Sequence, residues 1–125
     1  MAISTATEYS APLFTFTAED TDSDATLELV DGTSGVLYTV YADNTGNTST
    51  QVYVKLYNAT ATANVTFGTT APHYILPVAA GATKQFCFPD GLGYDGLVVA
   101  TGTSGGTEGT SGPTNAVVLR IGLVT

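Results

Sequence analysis

The chain has 125 residues, one domain's worth, with eleven acidic side chains against three basic ones and a formal net charge of −8. That balance argues against nucleic acid and anionic membrane surfaces as partners, since both call for clustered Lys and Arg. Charged residues make up only 11% and hydrophobic residues 43%, which excludes a charge-rich disordered chain and suits a packed β protein whose surface polarity comes from hydroxyls.

The N-terminal stretch MAISTATEYSAPLF has neither a basic n-region nor a continuous apolar h-region, so no secretory signal is expected. No apolar run approaches the roughly 20 residues that span a bilayer. Cys87 is the single cysteine, which excludes an intramolecular disulfide. The chain therefore reads as made in a cytoplasm. Residues 1–12 lack strong pattern and are ionic only at Glu8, so they are expected to form an arm that orders on contact with a partner.

Beyond them the dominant signal is period-two alternation broken by turn residues. Residues 13–17 alternate, with Phe14 and Phe16 on one face, and residues 26–30 alternate again and stop at Asp31-Gly32. Residues 35–42, GVLYTVYA, form a β-branched and aromatic run ending in the turn-rich DNTGNTST. QVYVKLYNAT follows: Val52, Val54 and Leu56 point to a core, while Tyr53, Lys55 and Tyr57 share the opposite face. Residues 62–67 read as a short strand, and Pro72 and Pro77 bracket a few extended residues expected to form an edge strand or an irregular one. Residues 83–88 form another strand that Pro89-Asp90-Gly91 ends in a tight turn. Residues 97–101 are a β run. Residues 102–113, opening GTSGGTEGTSG, read as a flexible loop. In residues 115–124, Val117, Leu119, Ile121 and Leu123 line one face. The pattern predicts a single all-β domain over residues 1–125, an antiparallel β-sandwich of jelly-roll or Ig-like type with about eight to ten short strands.

Chemistry-bearing constellations are few. Asp20, Asp22 and Asp24 at alternate positions imitate a calcium loop, but its sixth position is Ala25 rather than Gly and its twelfth is Asp31 rather than Glu. The stretch reads as an acidic, solvated loop that is at best a weak metal candidate. His73 and Cys87 form no recognisable nucleophile pair, because no third group is placed to orient the imidazole, and a thiol between Phe86 and Phe88 reads as a small buried or half-buried hydrophobe. The glycine-rich stretch lacks the Gly-Lys-Ser/Thr ending of a phosphate loop. Asn47, Asn58 and Asn64 begin N-x-[ST] triplets that a Thr-rich chain produces by chance. No catalytic, cofactor or metal residue is assigned, and no enzyme is expected. Seven tyrosines without tryptophan make the face of Tyr53, Lys55 and Tyr57, with Tyr38 on the preceding strand, the expected protein interface. Ile3 and Tyr9 of the arm join it as interface candidates.

The runs VYVKLYNATA, FGTTAPHYILPVAAG and FPDGLGYDGLVVATG, within residues 44–101, resemble a pattern in small virion proteins of tailed bacteriophages. The resemblance carries no catalytic residue. It implies a structural protein of the particle, expected as a capsid decoration (cement) protein bound to the major capsid protein on the head surface. Such a protein would be a homo-oligomer, trimeric or dimeric, without cofactor, nucleic acid or membrane as partner. The alternative is a carbohydrate- or receptor-binding sandwich of a tail or fibre.

Overall fold

The structure is a computed structural model that describes residues 16–125. Eight strands follow in order: β1 (Phe16–Ser23), β2 (Glu28–Asp31), β3 (Gly35–Asp43), β4 (Val52–Asn58), β5 (Tyr74–Val78), β6 (Thr83–Tyr94), β7 (Leu97–Gly102) and β8 (Val117–Val124). They form two four-stranded antiparallel sheets, ordered β1-β8-β3-β6 and β2-β7-β4-β5, packed as a β-sandwich. The expected fold class holds.

The core is the sum of the inward positions. Val52, Val54 and Leu56 of β4 meet Val117, Leu119, Ile121 and Leu123 of β8, with Leu37, Val40 and Ala42 of β3 between, all at most 1% exposed. Each such aliphatic side chain contributes about 1.5–3 kcal/mol by leaving water. Among the described residues the ion pair is Arg120–Glu19, whose side chains stay 59% and 51% exposed, and a pair that wet adds little to stability. Apolar burial holds this fold.

β3 departs from strict alternation, since Leu37 and Val40 are both buried three positions apart. The register explains it. Leu37 pairs with Leu92 and Thr39 with Cys87, so residues 88–91 oppose Tyr38 alone. The Pro89-Asp90-Gly91 turn expected to end a strand is instead a bulge inside β6. Gly91 has φ +76°, and a Cβ there would collide with Val36.

Two further expectations change. Residues 62–67 hold a 3-10 turn, Thr62–Asn64, rather than a strand. The acidic stretch is a loop only at residues 24–27: β1 carries Asp20 and Asp22 and runs to Ser23, and β2 takes up Glu28–Asp31. The edge strand between Pro72 and Pro77 is present as β5, paired only with β4 among the described residues.

A buried amide network ties one end of the sandwich. Asn47 Nδ2 donates to Asn44 Oδ1 (2.9 Å) and to the Asn115 carbonyl (2.7 Å), and its Oδ1 accepts from the Asn115 N–H (2.9 Å). Asn44 Nδ2 donates to the carbonyls of Thr50 and Ala79. Three loops far apart in sequence are thereby satisfied through two side chains that are 0% and 5% exposed.

Candidate functional site

β7 is buried along its whole length, Leu97–Gly102, so its sheet is covered on both faces at this strand. Leu97 and Val99 join the inter-sheet core, while Val98 and Ala100 join a second cluster with Tyr57 and Val65, against which Leu27, Ala59 and Phe67 pack. The material that covers this outer face is the chain itself, in residues 59–72 and 102–113. Gly102 packs within 3.0 Å of Phe67 and Gly105 within 3.1 Å of the Tyr53 ring, measured from where a Cβ would stand.

That cover corrects the expected interface. Lys55 is 0% and Tyr57 1% exposed, and Tyr53 is half-buried beneath Gly105. The Lys55 ammonium donates to the Gly106 carbonyl at 2.6 Å and lies 5.2 Å from the centre of the Phe67 ring. Burial pushes its pKa below the ordinary lysine value. Burial likewise raises the Tyr57 phenol, whose oxygen has no hydrogen-bond partner. The face the sequence presents as a meeting surface is an internal seam. Its glycine-rich cover is a loop as expected, but one laid along β4 and fastened by the Thr103 N–H to the Ser111 carbonyl (3.0 Å). Tyr38 does not adjoin these residues, because β3 and β4 belong to different sheets. Ile3, Tyr9 and the arm at 1–12 lie outside the described residues.

Among the described residues nothing covers the outer face of the other sheet. Its registers align side chains across all four strands. One row runs Glu19, Arg120, Tyr41, Gln85, and its neighbour runs Thr17, Gly122, Thr39, Cys87. Arg120 Nε donates to Glu19 Oε2 at 2.9 Å, and the guanidinium sits 5.5 Å from the Tyr41 ring centre. The hydrogen bond to Glu19 raises the Arg120 pKa further, so the charge is permanent. Gly122 has no side chain to fill the sheet surface, leaving a shallow depression of about 280 Å³ walled by Thr17, Thr39, Tyr41, Gln85 and Arg120. A stacking ring, amide and hydroxyl hydrogen-bonding groups and one fixed cation converge there. Nothing in the arrangement supplies a paired acid and base. The alternation Leu119, Arg120, Ile121 marked Arg120 as outward, whereas its partner Glu19, 101 residues away, carried no sequence signal.

The remaining candidates separate. Cys87 is exposed rather than buried, because Phe86 and Phe88 take the inward positions of β6. His73 precedes β5 in the opposite sheet, its ring packed edge-on against Tyr74 at 4.8 Å, and it does not meet Cys87. Asp20 and Asp22 lie on β1, and Asp24 Oδ1 is taken by the Thr26 N–H at 2.8 Å. Among the described residues no group of three or more His, Cys, Asp or Glu side chains could hold a metal ion. No helix of the described residues is long and apolar enough to cross a membrane.

No family model matches the chain, and neither a curated protein nor a solved structure matches it.

Proposed function

We propose that this protein is a non-enzymatic structural protein of a bacteriophage particle, a decoration protein that binds the assembled head and bridges neighbouring major capsid subunits. The observation that carries the binding part of this reading is the asymmetry of the sandwich. One outer face is covered over β4 and β7 by the chain's own loops, while among the described residues the other offers an open four-stranded surface with Tyr41 and Arg120 at its centre. Tyrosine and arginine are the residue types that dominate binding energy in protein interfaces. The virion part rests on the resemblance of residues 44–101. A protein that binds only the assembled lattice stabilises that state by mass action, and symmetric association of copies on the head would multiply weak contacts.

Co-sedimentation with capsids assembled from the cognate major capsid protein tests this directly. Saturable binding that Tyr41→Ala and Arg120→Glu each weaken at least tenfold, while Thr110→Ala on the opposite side leaves it unchanged, is the expected result. Failure of the unmodified protein to sediment with capsids refutes the virion role. Unchanged binding by both variants refutes the assignment of the face.

The depression beside Tyr41 favours a second reading, a carbohydrate contact, because a ring face edged by Gln85, Thr17 and Thr39 suits a pyranose. Glycan-array binding lost in Tyr41→Ala, without capsid binding, would put that reading first.

A further inference from the structure

The two sheets leave a gap on the side where β1 and β2 lie. Among the described residues β1 pairs only with β8 and β2 only with β7, so each presents an unpaired backbone edge. Between these edges runs an open groove of about 460 Å³, within the usual range of ligand clefts. Its floor is apolar, formed by Ala18, Val30 and the core side chains Val99 and Ile121, and Leu29, 49% exposed, belongs to its lining.

The walls are acidic. Asp20 shares the inward phase of β1 with Ala18, as their partners Leu119 and Ile121 show, and Glu28 stands opposite Val99 on β2. Asp22 and Glu19 line the same groove. Glu19 is engaged by Arg120, but no basic side chain among the described residues pairs with the other three. Asp20 Oδ1 accepts the Asp22 N–H at 3.1 Å, while Oδ2 has no accessible surface and no hydrogen-bond partner. Desolvation, then a side-chain hydrogen bond with Asp22 and repulsion from Asp22 and Glu28, lifts the Asp20 carboxyl to about 6 against the opposing Asp22 N–H. A carboxylate held this way lacks a cation.

We propose that this groove docks an extended basic segment of a protein partner, added as a strand to the free edge of β1. Strand addition supplies backbone hydrogen bonds, and alternate side chains supply selectivity. The inward-facing side chains of the added strand would meet both the apolar floor at Val99 and Ile121 and the carboxylates of Asp20 and Glu28, so lysine or arginine in that phase, stem on the floor and charged head at the carboxylates, is the complementary residue. Inward-pointing charges on strand edges also discourage identical chains from pairing. Two such acidic edges repel, so a second copy is the wrong occupant and a cationic strand the complementary one. The inference does not rest on the virion reading or on the face around Tyr41.

The test is fluorescence anisotropy of a labelled eight-residue peptide of alternating Lys and Val against the full chain, with a Glu–Val peptide as reference. Amide NMR shifts locate the contact and verify that each variant is folded. The expected result is binding of the Lys–Val peptide at least tenfold tighter than the Glu–Val one. Shifts should be confined to residues 17–22 and 28–31, and Asp20→Asn with Glu28→Gln should lower affinity tenfold or more. Asp95→Asn with Glu108→Gln removes the same formal charge outside the groove lining and should change affinity less than twofold. Equal losses in the two double variants, or shifts elsewhere, would reduce the effect to bulk charge and overturn the proposal. A tenfold gain on deleting residues 2–12 would identify the chain's own N-terminal segment as occupant. Groove shifts on self-association alone would identify a second copy. Either outcome overturns it as well.

Discussion

Replacing Lys55 by methionine separates the two things that side chain does. Its stem fills space on the covered face of β4 between Tyr53 and Tyr57, and its ammonium meets the Gly106 carbonyl and the Phe67 ring without a carboxylate. Truncation in Lys55→Ala removes three methylenes, about 0.8 kcal/mol each, and leaves a cavity, for a loss of roughly 2–4 kcal/mol. Lys55→Met keeps most of the stem. It gives up a charge-assisted hydrogen bond of about 1.5–3 kcal/mol and a ring contact of about 0.5–2 kcal/mol. It also removes an ammonium whose desolvation costs several kcal/mol. Gly106 is exposed, so water replaces the donor at its carbonyl. The expected balance for Lys55→Met lies within about 1 kcal/mol of zero, on the stabilising side. Urea unfolding at pH 7 measures both variants. A pH series adds a signed check. The folded pKa lies below the unfolded one, so the unfolded chain binds more protons between the two values. The parent protein therefore gains stability relative to Lys55→Met as pH climbs through that window toward about 10.4. A methionine variant as damaged as the alanine one would refute the reasoning, since the ammonium would then contribute more than its burial costs.

Tyr57→Phe should raise stability by about 1–2 kcal/mol, because it deletes a buried hydroxyl that has no partner. Asn47→Ala should cost about 3 kcal/mol by leaving its three hydrogen bonds to Asn44 and Asn115 unmade. Asn64→Ala, at an exposed site, should stay within about 0.5 kcal/mol; denaturation midpoints compare the pair. Asp20, raised to about 6, favours the fold when protonated. That contribution is complete below the unfolded value near 3.8 and is lost as pH rises through 6. Asp20→Asn should therefore match the parent at pH 4 and exceed it by about 1–2 kcal/mol at pH 7.5, allowing for the partial exposure of the site. Unfolding curves at the two pH values decide it.

The strand faces were legible in the sequence where alternation was unbroken. Val52, Val54 and Leu56, and the four apolar positions of β8, lie where period two put them. Alternation assigns faces and not neighbours, so Tyr38 and Tyr57 looked adjacent although the chain changes sheets between β3 and β4. The larger miss is Lys55 and Tyr57. Polar-tipped side chains opposite a core face normally look outward, and no local signal tells that residues 59–72 and 102–113 return to lie on them. One hint was present: LVVATG is apolar at consecutive positions, the mark of a strand buried on both faces. Pro89-Asp90-Gly91 misled for a physical reason. The residues that make a tight turn also make a bulge, since some types of each place a glycine at positive φ, as Gly91 is here.

The place of β8 between β1 and β3 bears on how the chain reaches this state. Glu19 and Arg120 are partners across 101 residues, so among the described residues the first strand has no sheet neighbour until the last is available. Synthesis delivers these partners 101 residues apart, and loop closure over such a span belongs to the slow, millisecond-to-second class of β topologies. In the interval β1 is an orphan. Its row of carboxylates then serves the nascent chain by keeping an unpaired strand dissolved in water and unattractive to its copies.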